Sequence, residues 1–426
     1  MRLALTLALT TCLLIGCGQS DPAPTEGGGT DMTSTQTPPP IASIGSPAAS
    51  SDTSSGIQTA SSDGGGMTLD VSPGDADQAS PEWALEEIAL LRAQPIPDDP
   101  KKVGAIRRER NTKIIELAAK VIAETHENPK QETFFNNAVK QLLESRLEMA
   151  LAGQPDDIDQ LYDDVKDLDE RDHASPAAEE GAFTLVRYAH ANAQRFATSD
   201  PRWFQELAQQ ARLYADGYPT KTDRAAPILF AAARSCEIHS PKMEDPKLRT
   251  SLLKEAMLCY TTLKQQFSEH VNGQRAVAIL RRLRLRGTEL KQFAGPLLNG
   301  KNFRIDMLRG RTPVLVFWSS ENEKFARNVE TLKATINKYK SAGVYMIGVS
   351  LDKDELDANA FITKHSLPGQ TVFFKDPGKQ RWDNPLVNYW GVVEIPTVWV
   401  LNKDGVVVST DVSIDQLDQL LAQVVK

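Results

Sequence analysis

The sequence predicts a multi-domain chain in which an all-α helical-repeat region precedes an α/β domain. Three observations predict it. Six prolines between residues 81 and 246 each follow a residue suited to cap a helix. Strand-like alternation is absent up to about residue 300. From about Leu290, short β-branched runs alternate with amphipathic stretches, the order expected of an α/β domain.

The chain's 426 residues suggest two or three domains. Hydrophobic residues make up 41% and charged residues 24%, enough for sizeable cores. A net charge of −8 argues against nucleic acid as a partner. Residues 1–16 read as a signal peptide, with Arg2 before an apolar stretch from Leu3 to Ile15. The ending Leu14-Ile15-Gly16-Cys17 resembles a lipobox, the signal of bacterial lipoproteins. That resemblance implies lipid on Cys17 and a membrane partner through it. Gly18, where an inner-membrane retention signal would place Asp, favours the outer membrane. Residues 17–80 are rich in Ser, Thr, Gly and Pro, and no Lys or Arg occurs between Leu3 and Leu91. Such a stretch buries too little apolar surface to offset its ordering entropy, so it is expected to be a disordered acidic tether.

Residues 81–289 form the expected helical region. Ser80-Pro81, Asp99-Pro100, Asn128-Pro129, Ser175-Pro176, Asp200-Pro201 and Asp245-Pro246 mark helix starts. Ile158, Leu161, Tyr162, Val165 and Leu168 share one helical face, as do Phe183, Val186, Ala189, Ala193 and Phe196. The spacing predicts about eight helices in antiparallel pairs. Ala256, Tyr260, Leu263, Phe267, Ala276, Leu280 and Leu283 resemble a tetratricopeptide unit, which implies a solenoid of helix hairpins. A compact bundle is the alternative. Cys236 and Cys259 lie on neighbouring expected helices and could form one disulfide or stay as buried thiols. Arg275, Arg281, Arg282, Arg284 and Arg286 read as a solvated face, or as a dock for an acidic partner. The six histidines lack metal-ligand spacing, so neither metal nor cofactor is expected.

Residues 290–426 read as strand 314–318, helix 323–342, strand 344–350, helix 356–365, strands 371–374, 397–401 and 406–409, and a helix from Ile414. A hairpin is expected at Asn402-Lys403-Asp404-Gly405. Five segments resemble the TlpA-like and peroxiredoxin-like members of the thioredoxin superfamily. They are Gly300–Gly310, Phe317-Trp318-Ser319-Ser320, Gly348–Asp352, Tyr389–Val392 with Ile395-Pro396-Thr397, and the hairpin. The resemblance implies a thioredoxin-like fold with a cis-proline at Pro396 and a Cys-x-x-Cys at a helix start. Those two positions hold Asn322 and Phe325, and Val316 stands where a buried acid is usual. Disulfide exchange and peroxide reduction both need a thiolate, and the domain has no cysteine.

No catalytic residue is therefore assigned. Ser320-Glu321-Asn322-Glu323 fits a capping box closing the former site. The binding candidates are Trp318, Glu321, Asn322, Glu323, Lys324, Ile395, Pro396 and Thr397, with the Ile395 backbone offered to an extended peptide. The expected function is an envelope-anchored, periplasm-facing lipoprotein with a redox-inactive thioredoxin-like domain that binds a protein or peptide. One alternative is a thiol-disulfide oxidoreductase or peroxidase using Cys236 and Cys259. Another is a holdase chaperone.

Overall fold

The computed structural model describes residues 80–96, 99–196 and 199–425. The expected signal peptide, the lipidated Cys17 and nearly all of the tether lie outside the described residues. Among the described residues, nine α-helices precede the first strand. They are α1 (Pro81–Ala93), α2 (Pro100–Thr125), α3 (Glu132–Ala150), α4 (Pro155–Arg171) and α5 (Pro176–Phe196), then α6 (Arg202–Gly217), α7 (Thr222–His239), α8 (Pro246–Gln266) and α9 (Val271–Leu283).

Capping chemistry explains most starts. Ser80 and Asp245 accept backbone N–H groups at the starts of α1 and α8, with Pro81 and Pro246 at the first helical position. Ser175 does the same for α5. Two expected starts are displaced. Asn128-Pro129 opens a short 3₁₀ turn ahead of α3, and α6 begins at Arg202, one residue past Pro201. α2 begins on its expected pair, Asp99-Pro100, whereas α4, α7 and α9 begin without one. No described helix is long and apolar enough to cross a membrane.

Each helix packs mainly on its sequence neighbour and, in several cases, on the next but one: α1 on α3, α3 on α5, α6 on α8, α7 on α9. Contacts of that range suit stacked helix hairpins. Two apolar cores result. One runs from Ala84 to Tyr188 and the other from Val186 to Leu280, with Trp203 packed against both. Alanines dominate the second core, including Ala208, Ala211, Ala215, Ala225 and Ala232, all fully buried. Side chains this small let the helix axes approach closely. Each buried leucine, Leu229 or Leu263 for example, adds on the order of 2 kcal/mol by leaving water.

The C-terminal part is an α/β domain around a five-stranded sheet. Its strands are β3 (Thr312–Trp318), β4 (Val344–Ser350), β5 (Gln370–Val372), β6 (Thr397–Leu401) and β7 (Val407–Ser409), in the order β5-β4-β3-β6-β7. The β3–β4 and β4–β5 pairs are parallel, while β6 runs antiparallel to both β3 and β7. A two-residue period divides β3 between two cores. Val314, Val316 and Trp318 face α10 (Glu323–Lys338), α11 (Glu355–His365) and α13 (Ile414–Val424). Leu315 and Phe317 face Phe293, Trp399 and α12 (Pro385–Trp390). Both faces are covered, so the run 312–318 reads as continuously apolar and is buried throughout. Neither α12 nor the small antiparallel pair β1 (Ala294–Pro296) and β2 (Asn302–Arg304) was expected from the sequence. These elements are three to six residues long, too short for periodicity to register.

Candidate functional site

The site lies where β3 delivers the chain into a β–turn–α10 junction. The parallel register pairs Trp318 with Ser350, so β3 and β4 end side by side. Asp352 follows β4 and is buried under the turn, only 2% exposed. Its Oδ1 accepts from Ser319 Oγ at 2.9 Å and from both the Ser320 N–H and Ser320 Oγ at 2.7 Å. Its Oδ2 accepts from Ser350 Oγ at 2.8 Å. Charge-assisted bonds of this kind are short and strong, so the carboxylate fixes the turn. All three serine hydroxyls donate to Asp352, and none is hydrogen-bonded to a histidine among the described residues. Asp352 lay in the Gly348–Asp352 motif, yet nothing in the sequence marked it as the hub of the turn.

Asn322 caps α10. Its Oδ1 accepts from the Phe325 N–H at 2.8 Å, and its Nδ2 donates to the Ile395 carbonyl at 3.1 Å. The Ile395–Pro396 peptide bond is cis. One amide side chain therefore links the helix start to the cis-proline loop. This corrects two expectations. Ser320 is not the cap: α10 starts at Glu323, and the side chain that accepts its free N–H belongs to Asn322. The Ile395 backbone is not wholly open to an incoming strand, because its carbonyl already accepts one bond, from Asn322.

Phe325 and Trp318 are fully buried. Their rings stack at 5.3 Å, and Phe361 stacks on Phe325 at 5.6 Å. Trp318 is therefore withdrawn as a binding residue. The strand period turns it into the α10 face, where it is core. Gly348 makes room for it, since a Cβ there would stand 2.6 Å from Trp318 Nε1.

The remaining candidates line the rim. Glu321, Glu323 and Lys324 are exposed, while Ile395, Pro396 and Thr397 are half-buried. Glu321 faces Arg381 at 3.5 Å, a residue the sequence did not suggest, held in a left-handed backbone at φ 51°. Asp354 holds the neighbouring Asp357 carboxyl above its ordinary pKa, with smaller contributions from burial, Asp352 and Glu321. The mouth of the site thus leans acidic.

Cys236 and Cys259 are not part of it. Both are free, fully buried thiols in the second helical core, so the possible disulfide is absent. Their sulfurs point to the Phe204 and Ala208 carbonyls, at 3.2 and 3.6 Å. Burial pushes the Cys236 thiol well above its ordinary pKa and the Cys259 thiol up to about 12. Neither provides a thiolate near neutral pH.

The helical region grips the cis-proline loop. Arg282 Nε donates to the Gly391 carbonyl at 3.1 Å, and its guanidinium pairs with Glu237. Arg234 meets Glu237 at 2.8 Å and reaches Glu394 at 3.6 Å. Tyr260 donates to Glu237 at 2.6 Å, and Arg281 donates to the Tyr389 carbonyl. The expected solvated arginine face is thus corrected at Arg282, which is 5% exposed because Glu237 draws it inward. Gly391 takes φ +61°, and a Cβ there would lie 2.5 Å from the Ile279 backbone nitrogen. Gly391→Ala is expected to cost about 1–3 kcal/mol by overpacking this seam, measured by urea denaturation against the parent.

A family model described as thioredoxin-like matches residues 310–407. Over 134 residues the chain is 25% identical to the thiol-disulfide oxidoreductase ResA of Bacillus thuringiensis (strain Al Hakam). The match covers 32% of this chain and 73% of that protein. The ResA protein of Bacillus anthracis matches over the same length at the same identity. Among solved structures, the thioredoxin domain of a thiol-disulfide oxidoreductase from Bacteroides vulgatus is 19% identical. That match covers 33% of this chain and 98% of that one, with a TM-score of 0.30. The C-terminal domain is thioredoxin-like and related to thiol-disulfide oxidoreductases.

Proposed function

We propose that this chain is an envelope-anchored lipoprotein whose thioredoxin-like domain binds a protein or peptide and does not turn over thiols. One observation carries the reading: Asn322 and Phe325 occupy the two positions where the chemistry of the relatives' name would require sulfur. The Asn322 amide is spent on the α10 start and the Ile395 carbonyl, and Phe325 is core. The buried, hard-to-ionise Cys236 and Cys259 weigh against the oxidoreductase and peroxidase alternative. Lipid on Cys17 would anchor the chain, with the folded part facing the periplasm and the outer membrane favoured. A partner would read the exposed Glu321, Glu323 and Lys324 beside the Pro396 loop, because the Ile395 carbonyl already accepts one bond, from Asn322.

The expected result in insulin-reduction and peroxidase assays is no activity above a buffer control. Changing Cys236 and Cys259 to serine should leave that baseline unmoved. Turnover lost in the Cys236→Ser/Cys259→Ser variant would overturn the reading. Crosslinking from exposed positions 321 and 324 in the native envelope should capture the partner.

A further inference from the structure

A groove of about 780 Å³ opens on the helical region, formed by α2, α3 and α5. It does not involve the thioredoxin-like site and stands independently of the reading given above. Five arginines line it: Arg107, Arg108 and Arg110 on α2, Arg187 and Arg195 on α5. Only two lining carboxylates oppose them, Glu144 and Glu148 on α3. Three of the arginines are already committed. Arg187 pairs with Glu144 at 2.7 Å, Arg108 with Asp157 at 2.7 Å and Arg110 with Glu148 at 3.5 Å. The other two are not. Arg107 meets no carboxylate among the described residues, and Arg195 donates only to the Leu151 carbonyl, at 3.0 Å. Both are exposed, one on each of two helices that pack against α3.

The rest of the lining is mixed, with part-exposed Val103 and Leu151 beside Asn111, His190 and Gln194. A positive groove in a chain of net charge −8 is a local reversal of sign. Guanidinium groups bind carboxylates bidentately, and apolar side chains gain by covering the part-exposed Val103 and Leu151. We propose that this groove binds an acidic peptide segment with an apolar centre, its carboxylates on Arg107 and Arg195. The volume lies within the range of ligand sites.

Gly104 supplies a clean test. It lines the groove on α2, and a Cβ there would meet nothing within 4 Å. A Trp at 104 has open space at its Cβ and would place a bulky ring at the groove wall. The probe is a fluorescein-labelled peptide Glu-Glu-Leu-Ala-Leu-Glu-Glu, roughly 23 Å when extended, titrated into the full chain. The expected result is saturable binding that weakens about tenfold or more in Arg107→Ala/Arg195→Ala and is lost in Gly104→Trp. Both variants should melt like the parent. Raising the salt from about 0.05 to 0.5 M should weaken binding further. Equal binding of Lys-Lys-Leu-Ala-Leu-Lys-Lys would overturn the proposal, as would unchanged affinity in both variants. Groove-dependent binding to phosphatidylglycerol vesicles without binding of the acidic peptide would overturn it in favour of a lipid.

Discussion

Replacing Glu237 by alanine is expected to destabilise the full chain by about 3–5 kcal/mol, because it strands two buried arginines without a counter-charge. Arg234 and Arg282 are 3% and 5% exposed, and each pairs with Glu237. Burial alone would raise the Glu237 pKa. Arg282 and Arg234, with the Tyr260 hydroxyl, outweigh burial and hold the carboxyl down at about 2. The sign of the pH dependence follows. A carboxyl with a depressed folded pKa stabilises fully above its unfolded value of about 4.3. That contribution fades as pH falls from there toward about 2. Urea midpoints measured across that window should fall more steeply for the parent than for Glu237→Gln, which has no proton to take up. Hydrogen exchange at residues 391–396 should accelerate in Glu237→Ala, since the same cluster holds Gly391 and Glu394. A parallel pH dependence in parent and Glu237→Gln would show that the cluster contributes nothing to the acid limb.

The α/β elements were legible because each is a local pattern. The run 344–350 is a mostly apolar stretch with Val344, Ile347 and Val349, too short for an ordinary helix, and its bounds match the observed β4. The helix starts were legible for the same reason, since a cap and its proline are adjacent in sequence. The candidate site was legible from Asn322 and Phe325, which stand where the resemblance implies cysteines. What those residues do instead was not legible. The Asn322–Ile395 bond spans 73 positions in sequence, and the Arg282–Gly391 bond spans 109. No periodicity encodes contacts of that range. Ser320 shows the opposite error. Its Ser-x-x-Glu spacing satisfied a local rule, but α10 starts at Glu323, so Asn322 stands at the cap position and the Ser320 hydroxyl donates to Asp352, thirty-two residues on. Trp318 misled likewise, because a motif locates a residue along the chain and the pleat of β3 decides which face it joins.

Restoring sulfur should restore chemistry. In Asn322→Cys/Phe325→Cys the first thiol would stand at the N-terminus of α10, where unpaired N–H groups and the helix dipole favour a thiolate. The frame around that position is intact: Asp352 fixes the turn, and the cis Ile395–Pro396 bond lies alongside. Two costs accompany the change. Loss of the Asn322 cap costs about 1 kcal/mol. Loss of the Phe325 ring from its stack with Trp318 and Phe361 costs about 3–5 kcal/mol in the reduced state. Closing a disulfide between the two cysteines should recover part of this, so the oxidised form should melt above the reduced one. The expected outcome is insulin reduction in the double variant against a blank in the parent. Iodoacetamide labelling should titrate below the ordinary thiol value of about 8.5. Asn322→Cys alone should show the lowered thiol pKa without catalytic turnover, since it lacks the second sulfur to resolve a mixed disulfide. An ordinary pKa at position 322 in a folded variant would mean that more than the sulfurs has been lost, and that the α10 terminus no longer presents the field a thiolate needs.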